Sequence, residues 1–331
     1  MSFKRLDPED FLVSIDSVTA TAWSTNNPAL TAFFTSSITT TNDSYYKNVY
    51  QTGSTVSGSA VQFAIAYGNK QGSGSANYND LVAGVSPTRT VYGQYRNLIY
   101  GDENAQFIFG TVTASDFWAI SVDRARYKEH LLKGTFNIKI SGSTVLQLTD
   151  NSAMVSTDTY LDCGRVYQII SGSNGTSYNG GNGYSPSSGS YGLFLPDIAT
   201  IILNPLALSQ SINLNPSRSS DIDGDNTGIL FRAISGSGAA SFQVNSEETV
   251  SSDYVFVRAR NAEFNYTENP SFISGSTGDV IYSVFINSPQ TYMTTVGFYN
   301  DTNDLLAVAK LSKPLVKDFT KESLVRVKLD F

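Results

Sequence analysis

The stretch Ser323-Leu324-Val325-Arg326-Val327-Lys328-Leu329-Asp330-Phe331 closes the chain. On an extended backbone Val325, Val327, Leu329 and Phe331 face one way, and Arg326, Lys328 and Asp330 face the other. A period of two predicts a strand with one buried and one solvated face. An end spent this way is expected to be held in a sheet, because loose termini fray.

Working outward, the residues from Tyr254 onward read as about five or six strands joined by short turns. Residues 293–299 and 305–311 flank Asn300-Asp301-Thr302-Asn303-Asp304, whose turn chemistry suits a hairpin. Leu305, Ala307, Ala309 and Leu311 share a face, with Leu306 and Val308 opposite, so the second of these strands is apolar on both sides. Such a strand needs a covering layer from another domain or a neighbouring subunit. The candidate interface residues are therefore Leu305, Ala307, Val308 and Leu311, together with Val325, Val327, Leu329 and Phe331.

Composition agrees with a β protein. Hydrophobic residues are 40% of the chain, but charged ones only 15%, against roughly 25% in an average globular protein. Ser, Thr, Asn and Gly take their place, and neutral surfaces suit strands and turns better than helices. At roughly 150 residues per domain, 331 residues suggest one large domain or two. The expected fold is mainly β: one or two antiparallel β-sandwich or barrel-like domains with few short helices. Residues 1–208 read as an N-terminal β-rich region, 209–228 as a polar linker or surface excursion, and 229–331 as a C-terminal β domain.

Along the chain, strands are expected at 11–16, with a bulge near Ser17, and at 61–67, 88–100, 106–112, 116–122, 135–141, 144–148 and 166–170. Gly142-Ser143 is a candidate two-residue hairpin turn. Residues 28–34 suit a short helix or a strand equally. The run 123–133 predicts a helix, capped by Ser121 or Asp123 and ended by Gly134, although its basic residues also alternate. Residues 171–190, rich in Gly, Ser and Asn, read as a long flexible loop. Pro196 and Pro205 argue against one continuous helix over 192–208.

The net charge of -7 disfavours nucleic acid as a partner. No segment is long and apolar enough to span a bilayer, and the start lacks the apolar run of a signal peptide, so synthesis and assembly in the cytoplasm are expected. His130 and Cys163 are each the only residue of their type. Any Ser/His/Asp or Cys/His centre must use His130, which falls in a basic run (124–133) that reads as exposed and suited to an intersubunit ion pair. Cys163 reads as a small apolar residue.

Asp221-Ile222-Asp223-Gly224-Asp225-Asn226 resembles the opening of a calcium loop. Asn226 stands where Gly is needed and Arg232 where the closing Glu belongs. Asp221, Asp223 and Asp225 are thus weak metal ligands, and a solvated turn is the plainer reading. The glycine-rich stretch 171–192 lacks the Gly-Lys-Ser/Thr of a phosphate loop. The 19 tyrosines could stack on sugars, but scattered tyrosines in strands pack across strands. Glu247-Glu248 and 221–225 are the dense acidic spots, and neither has apolar surroundings to raise a carboxylate's pKa. No cofactor and no enzymatic activity are expected.

Three phrases carry a resemblance. They are Ser121-Val122-Asp123-Arg124-Ala125-Arg126-Tyr127-Lys128-Glu129 leading to Gly134-Thr135-Phe136-Asn137-Ile138, then Glu263-Phe264-Asn265-Tyr266-Thr267-Glu268-Asn269-Pro270-Ser271-Phe272, and Tyr292-Met293-Thr294-Thr295-Val296-Gly297-Phe298-Tyr299-Asn300-Asp301 with residues 305–315. They resemble virion structural proteins of large tailed bacteriophages, especially contractile-tailed phages of cyanobacteria. The resemblance implies a non-enzymatic subunit of a tail or baseplate, or of the head-to-tail neck. Its partners would be copies of itself and neighbouring virion proteins, and it would be located in the virion. A receptor- or glycan-binding module on the virion surface is the alternative expectation.

Overall fold

The computed structural model describes residues 3–35, 46–53, 56–74, 86–218, 223–238, 240–267 and 269–330. Asp221 and Phe331 lie outside the described residues. The fold is mainly β and built from antiparallel sheets.

The first strands are β1 (Phe11–Thr21), β2 (Ala29–Leu30), β3 (Phe34–Thr35), β4 (Tyr46–Tyr50) and β5 (Val61–Asn69), followed by helix α1 (Thr88–Tyr100). Then come β6 (Phe107–Phe109), β7 (Val112–Ala114), β8 (Asp116–Val122), β9 (His130–Leu131), β10 (Asn137–Ser141) and β11 (Val145–Asp150). Next are β12 (Thr159–Leu161), β13 (Gly164–Ser173), β14 (Thr176–Ser177), β15 (Gly192–Leu195) and β16 (Thr200–Leu203), then helices α2 (Pro205–Ile212) and α3 (Asp223–Ser235). The chain ends with β17 (Phe242–Gln243), β18 (Asn245–Ala259), α4 (Ser283–Asn287), β19 (Thr291–Tyr299), β20 (Leu305–Lys317) and β21 (Ser323–Asp330).

Two compact units result, residues 17–248 and residues 1–16 with 249–331, and the division falls inside β1 and β18. These bounds differ from the expected linker at 209–228. The helices α2 and α3 reach into that stretch from both sides, and both bury apolar side chains in the larger unit.

The larger unit is a 13-stranded sheet, ordered β2-β17-β10-β11-β13-β15-β16-β8-β5-β4-β3 with β12 and β14 on β13. It curls into a half-barrel. The alternation of its central strands sorts side chains onto two faces. Phe63, Ile65, Tyr67, Trp118, Ile120, Ile201 and Leu203 point into one cluster, shared with Leu208 and Ile212 of α2 and Leu230 and Ile234 of α3. Ala66, Phe117, Ala119, Ile202 and Leu193 point into the other, shared with Val91, Tyr92 and Ile99 of α1. Strands buried on both faces have to be apolar throughout, which is why residues 116–122 and 192–203 lack polar alternation.

Several expectations are corrected. Residues 88–100 form helix α1, not a strand. Val91, Tyr92 and Ile99 are buried and Tyr95 packs beside them, a helical spacing, and Gly101 closes the helix at φ 62°. Residues 123–133 do not form a helix. Asp123 caps a single 3-10 turn at 124–126, and His130 and Leu131 instead pair with Glu247 and Ser246 of β18. The turn between β10 and β11 has three residues, since Ser141 faces Val145.

The glycine-rich stretch is folded back rather than loose. Asn174 and Gly175, at φ 50° and 78°, form a tight turn between β13 and β14 of the kind that needs positive φ at both positions. Residues 28–34 resolve into extended segments, β2 and the start of β3. Pro196 and Pro205 begin separate helical segments.

In the smaller unit β18 lies between β1 and β21. The closing strand pairs antiparallel with β18 from Ser252↔Asp330 to Ala259↔Ser323. Val327 is buried against this sheet, Val325 and Leu329 are half-buried, and Arg326, Lys328 and Asp330 are exposed. The expected hairpin is β19–β20, turning at Asn300 to Asp304. Among the described residues the segment from Tyr254 holds four strands, fewer than expected, because residues 260–290 contain turns and the short α4.

Candidate functional site

A set of ionisable side chains in the larger unit surrounds the single histidine. Pairing of β9 with β18 sets His130 opposite Glu247, with His130 Nε2 3.1 Å from Glu247 Oε2. The other oxygen of Glu247 accepts from the Ser17 hydroxyl on β1. Arg165 on β13 grips Asp197 through Nε at 3.0 Å and through a second guanidinium nitrogen, and both groups act electrostatically on the His130–Glu247 pair. Lys133 Nζ holds both oxygens of Asp158 at 2.9 and 3.0 Å and lies 5.6 Å from the centre of the Tyr167 ring.

The electrostatics follow from these bonds. Hydrogen bonds from Ser17 and His130 hold Glu247 below the ordinary glutamate value. Bonding to Lys133 does the same for Asp158. Burial pushes Asp197 upward, but the Arg165 fork outweighs it and the net shift is downward. Burial lifts the Tyr167 phenol to about 12.

This geometry stabilises charge already present. A nucleophilic centre needs the histidine between nucleophile and carboxylate; here the carboxylate stands between serine and histidine. A general acid needs a raised carboxylate pKa, whereas Glu247 is lowered. His130 is not the exposed residue the sequence suggested: its side chain is 12% exposed. Two side chains of the basic run have partners within the chain. Arg124 bonds to Tyr127 O and lies over that ring at 4.7 Å, and Lys133 pairs with Asp158.

Cys163 packs beside the α1 cluster, and burial lifts its thiol to about 11, so it stays protonated near neutral pH. Asp150 is fully buried and accepts from Gly134 N and Ser152 N. Burial raises its pKa, and its bonds fix the turn after β9 and the end of β11, which is a folding role.

The supposed calcium loop is helical from Asp223, within α3. Asn226 is buried, and its side-chain oxygen accepts from Ser217 N at 2.6 Å. Among the described residues no three His, Cys, Asp or Glu side chains stand together as metal ligands would. No helix is long and apolar enough to cross a membrane. A shallow concavity of about 490 Å³ has a described lining of Lys70, Gln71, Arg89, Gln106, Thr113, Ala114 and Ser115, with neither carboxylate nor histidine.

The smaller unit presents a different kind of surface. Its buried apolar side chains, among the described residues, are Val255, Ala259 and Val327 alone. Ile15 is 71% exposed, Val284 78% and Leu306 67%. Of the sequence-derived interface residues, Leu305 and Val308 are exposed, Ala307, Leu311, Val325 and Leu329 half-buried, and Val327 buried. Sequence reading missed Val284 and Ile286 of α4, which stand exposed in a short helix without a surrounding pattern. Comparison of the chain with family models, with curated proteins and with solved structures finds no match.

Proposed function

We propose that the chain is a non-enzymatic structural subunit that works through ordered contacts with copies of itself and with neighbouring proteins. The observation that carries this is the contrast between the units. The larger buries two extensive apolar clusters, whereas the smaller buries three apolar side chains among its described residues and leaves many more in solvent. A layer without its own core needs a cover, and large exposed apolar surface marks an interaction site. The phrase-level likeness of the sequence to tailed-phage virion proteins supports a tail, baseplate or neck as the assembly.

Sedimentation of the purified full chain tests the reading. An oligomer whose interfaces bury more than roughly 2,000 Å² is expected of an obligate assembly. A chain that stays monomeric up to submillimolar concentration overturns self-assembly. Mass spectrometry of purified particles that lacked the chain would remove the virion placement. A glycan-binding module is the second reading, favoured by Tyr178, 57% exposed on the glycine-rich stretch beside exposed Asn179. A glycan array without binding removes it.

A further inference from the structure

We propose that β19 is a self-association edge, at which two copies of the chain pair β19 to β19 antiparallel about a two-fold axis and join their hairpins into one four-stranded sheet. The proposal rests on the assembly reading above and names its first contact. Among the described residues β19 and β20 pair only with each other. Each therefore keeps one row of backbone N–H and C=O groups without a strand partner, and an isolated two-stranded ribbon is marginal in water.

The two free edges differ. Sheet edges are normally blunted by lysine, proline or a bulge, and β20 has all three. It carries exposed Lys310 and Lys313 and also Pro314, and its register jumps from Thr295↔Lys310 to Met293↔Leu315. The sequence of β19, TYMTTVGFY, holds no charge and no proline. An uncharged strand lies against its own copy without opposing like charges, whereas β20 against β20 would set lysine near lysine. Symmetry selects the direction. A two-fold axis perpendicular to the sheet makes the two copies of β19 run antiparallel. Two-fold pairing of one surface patch with itself is the commonest oligomer contact, and strand addition supplies its affinity through the main chain.

The test is a charge swap at Thr295, exposed and at the midpoint of β19, read by sedimentation of the full chain. Thr295→Lys and Thr295→Glu, each alone, should raise the dissociation constant about tenfold, and an equimolar mixture should restore association. If either variant loses the wild-type circular dichroism spectrum, the same swap at exposed Thr294 is read instead. Variants that associate as tightly as wild type overturn the β19 contact and leave the assembly reading standing. Variants that weaken without rescue on mixing show β19 meeting some other surface, and also overturn it. A wild-type chain that never associates overturns both.

Discussion

Glu247 has two neighbours and one charge. It accepts from Ser17 and from His130, and those bonds hold its pKa below the ordinary value. The folded state therefore binds its proton less readily than the unfolded chain does. Its contribution is fully present above the ordinary glutamate range and is lost as pH falls through the lowered folded value. Asp158 and Asp197 are shifted in the same direction, so these three contributions are lost on the acid side, while buried Asp150, raised instead, pulls the other way. Glu247→Ala should cost about 1–2 kcal/mol at neutral pH, because it leaves Ser17 and the largely buried His130 without their acceptor. The difference from wild type should shrink as the pH falls below the usual carboxylate range. Chemical denaturation at a series of pH values reads both quantities, and a difference that stayed constant down to acid would show that the bonds do not depend on the carboxylate's charge.

Elements reveal how much of this the sequence could carry. The alternation of 323–330 and the turn 300–304 are local features, and both were legible. Helix α1 was not, because its Tyr, Thr and Val content favours strands by propensity, while its spacing of Val91, Tyr92, Tyr95 and Ile99 is helical. The opposite error fell on 123–133. Its capping residue and its final Gly134 are helix signals, and Gly134 does adopt φ 77°, but the partners that draw His130 and Leu131 into a strand lie in β18. No local pattern announces a partner so distant in the chain. The His130–Glu247 bond was hidden for the same reason, as was the joining of residues 1–16 to 249–331.

Where two elements touch through backbone, the sequence shows only a glycine. A Cβ on Gly142, in the turn between β10 and β11, would lie 2.1 Å from Ile212 O at the end of α2, and Ser143 N donates to that same oxygen at 2.7 Å. Gly142→Ala must push the hairpin off the helix, at a cost of about 1–3 kcal/mol. That corresponds to a fall in melting temperature of about 2–4 °C per kcal/mol for a unit of this size. A thermal scan showing no loss would mean the turn moves aside freely.

At the scale of the molecule, the two units should differ in how readily they open. Opening free energy follows buried apolar contact, and segments with little of it exchange amide hydrogens through local fluctuations. In the larger unit β5 and β8 are covered on both faces by helices and partner strands. In the smaller unit β19 and β20 have half-buried or exposed side chains along nearly their whole length. Lys317 is the buried exception, its ammonium satisfied by Asn261 O, Asn265 Oδ1 and Asp318 O. In dissociated chains, amides of β19 and β20 should exchange about a hundredfold faster than those of β5 and β8. In the assembled state the hairpin should gain protection while β5 and β8 change little, because their cover comes from within the chain. Hydrogen exchange followed by mass spectrometry on both states separates these outcomes. Equal protection of both units in the dissociated chain would show that the smaller unit stands without partners, and the apolar surface on it would then need a different reason to exist.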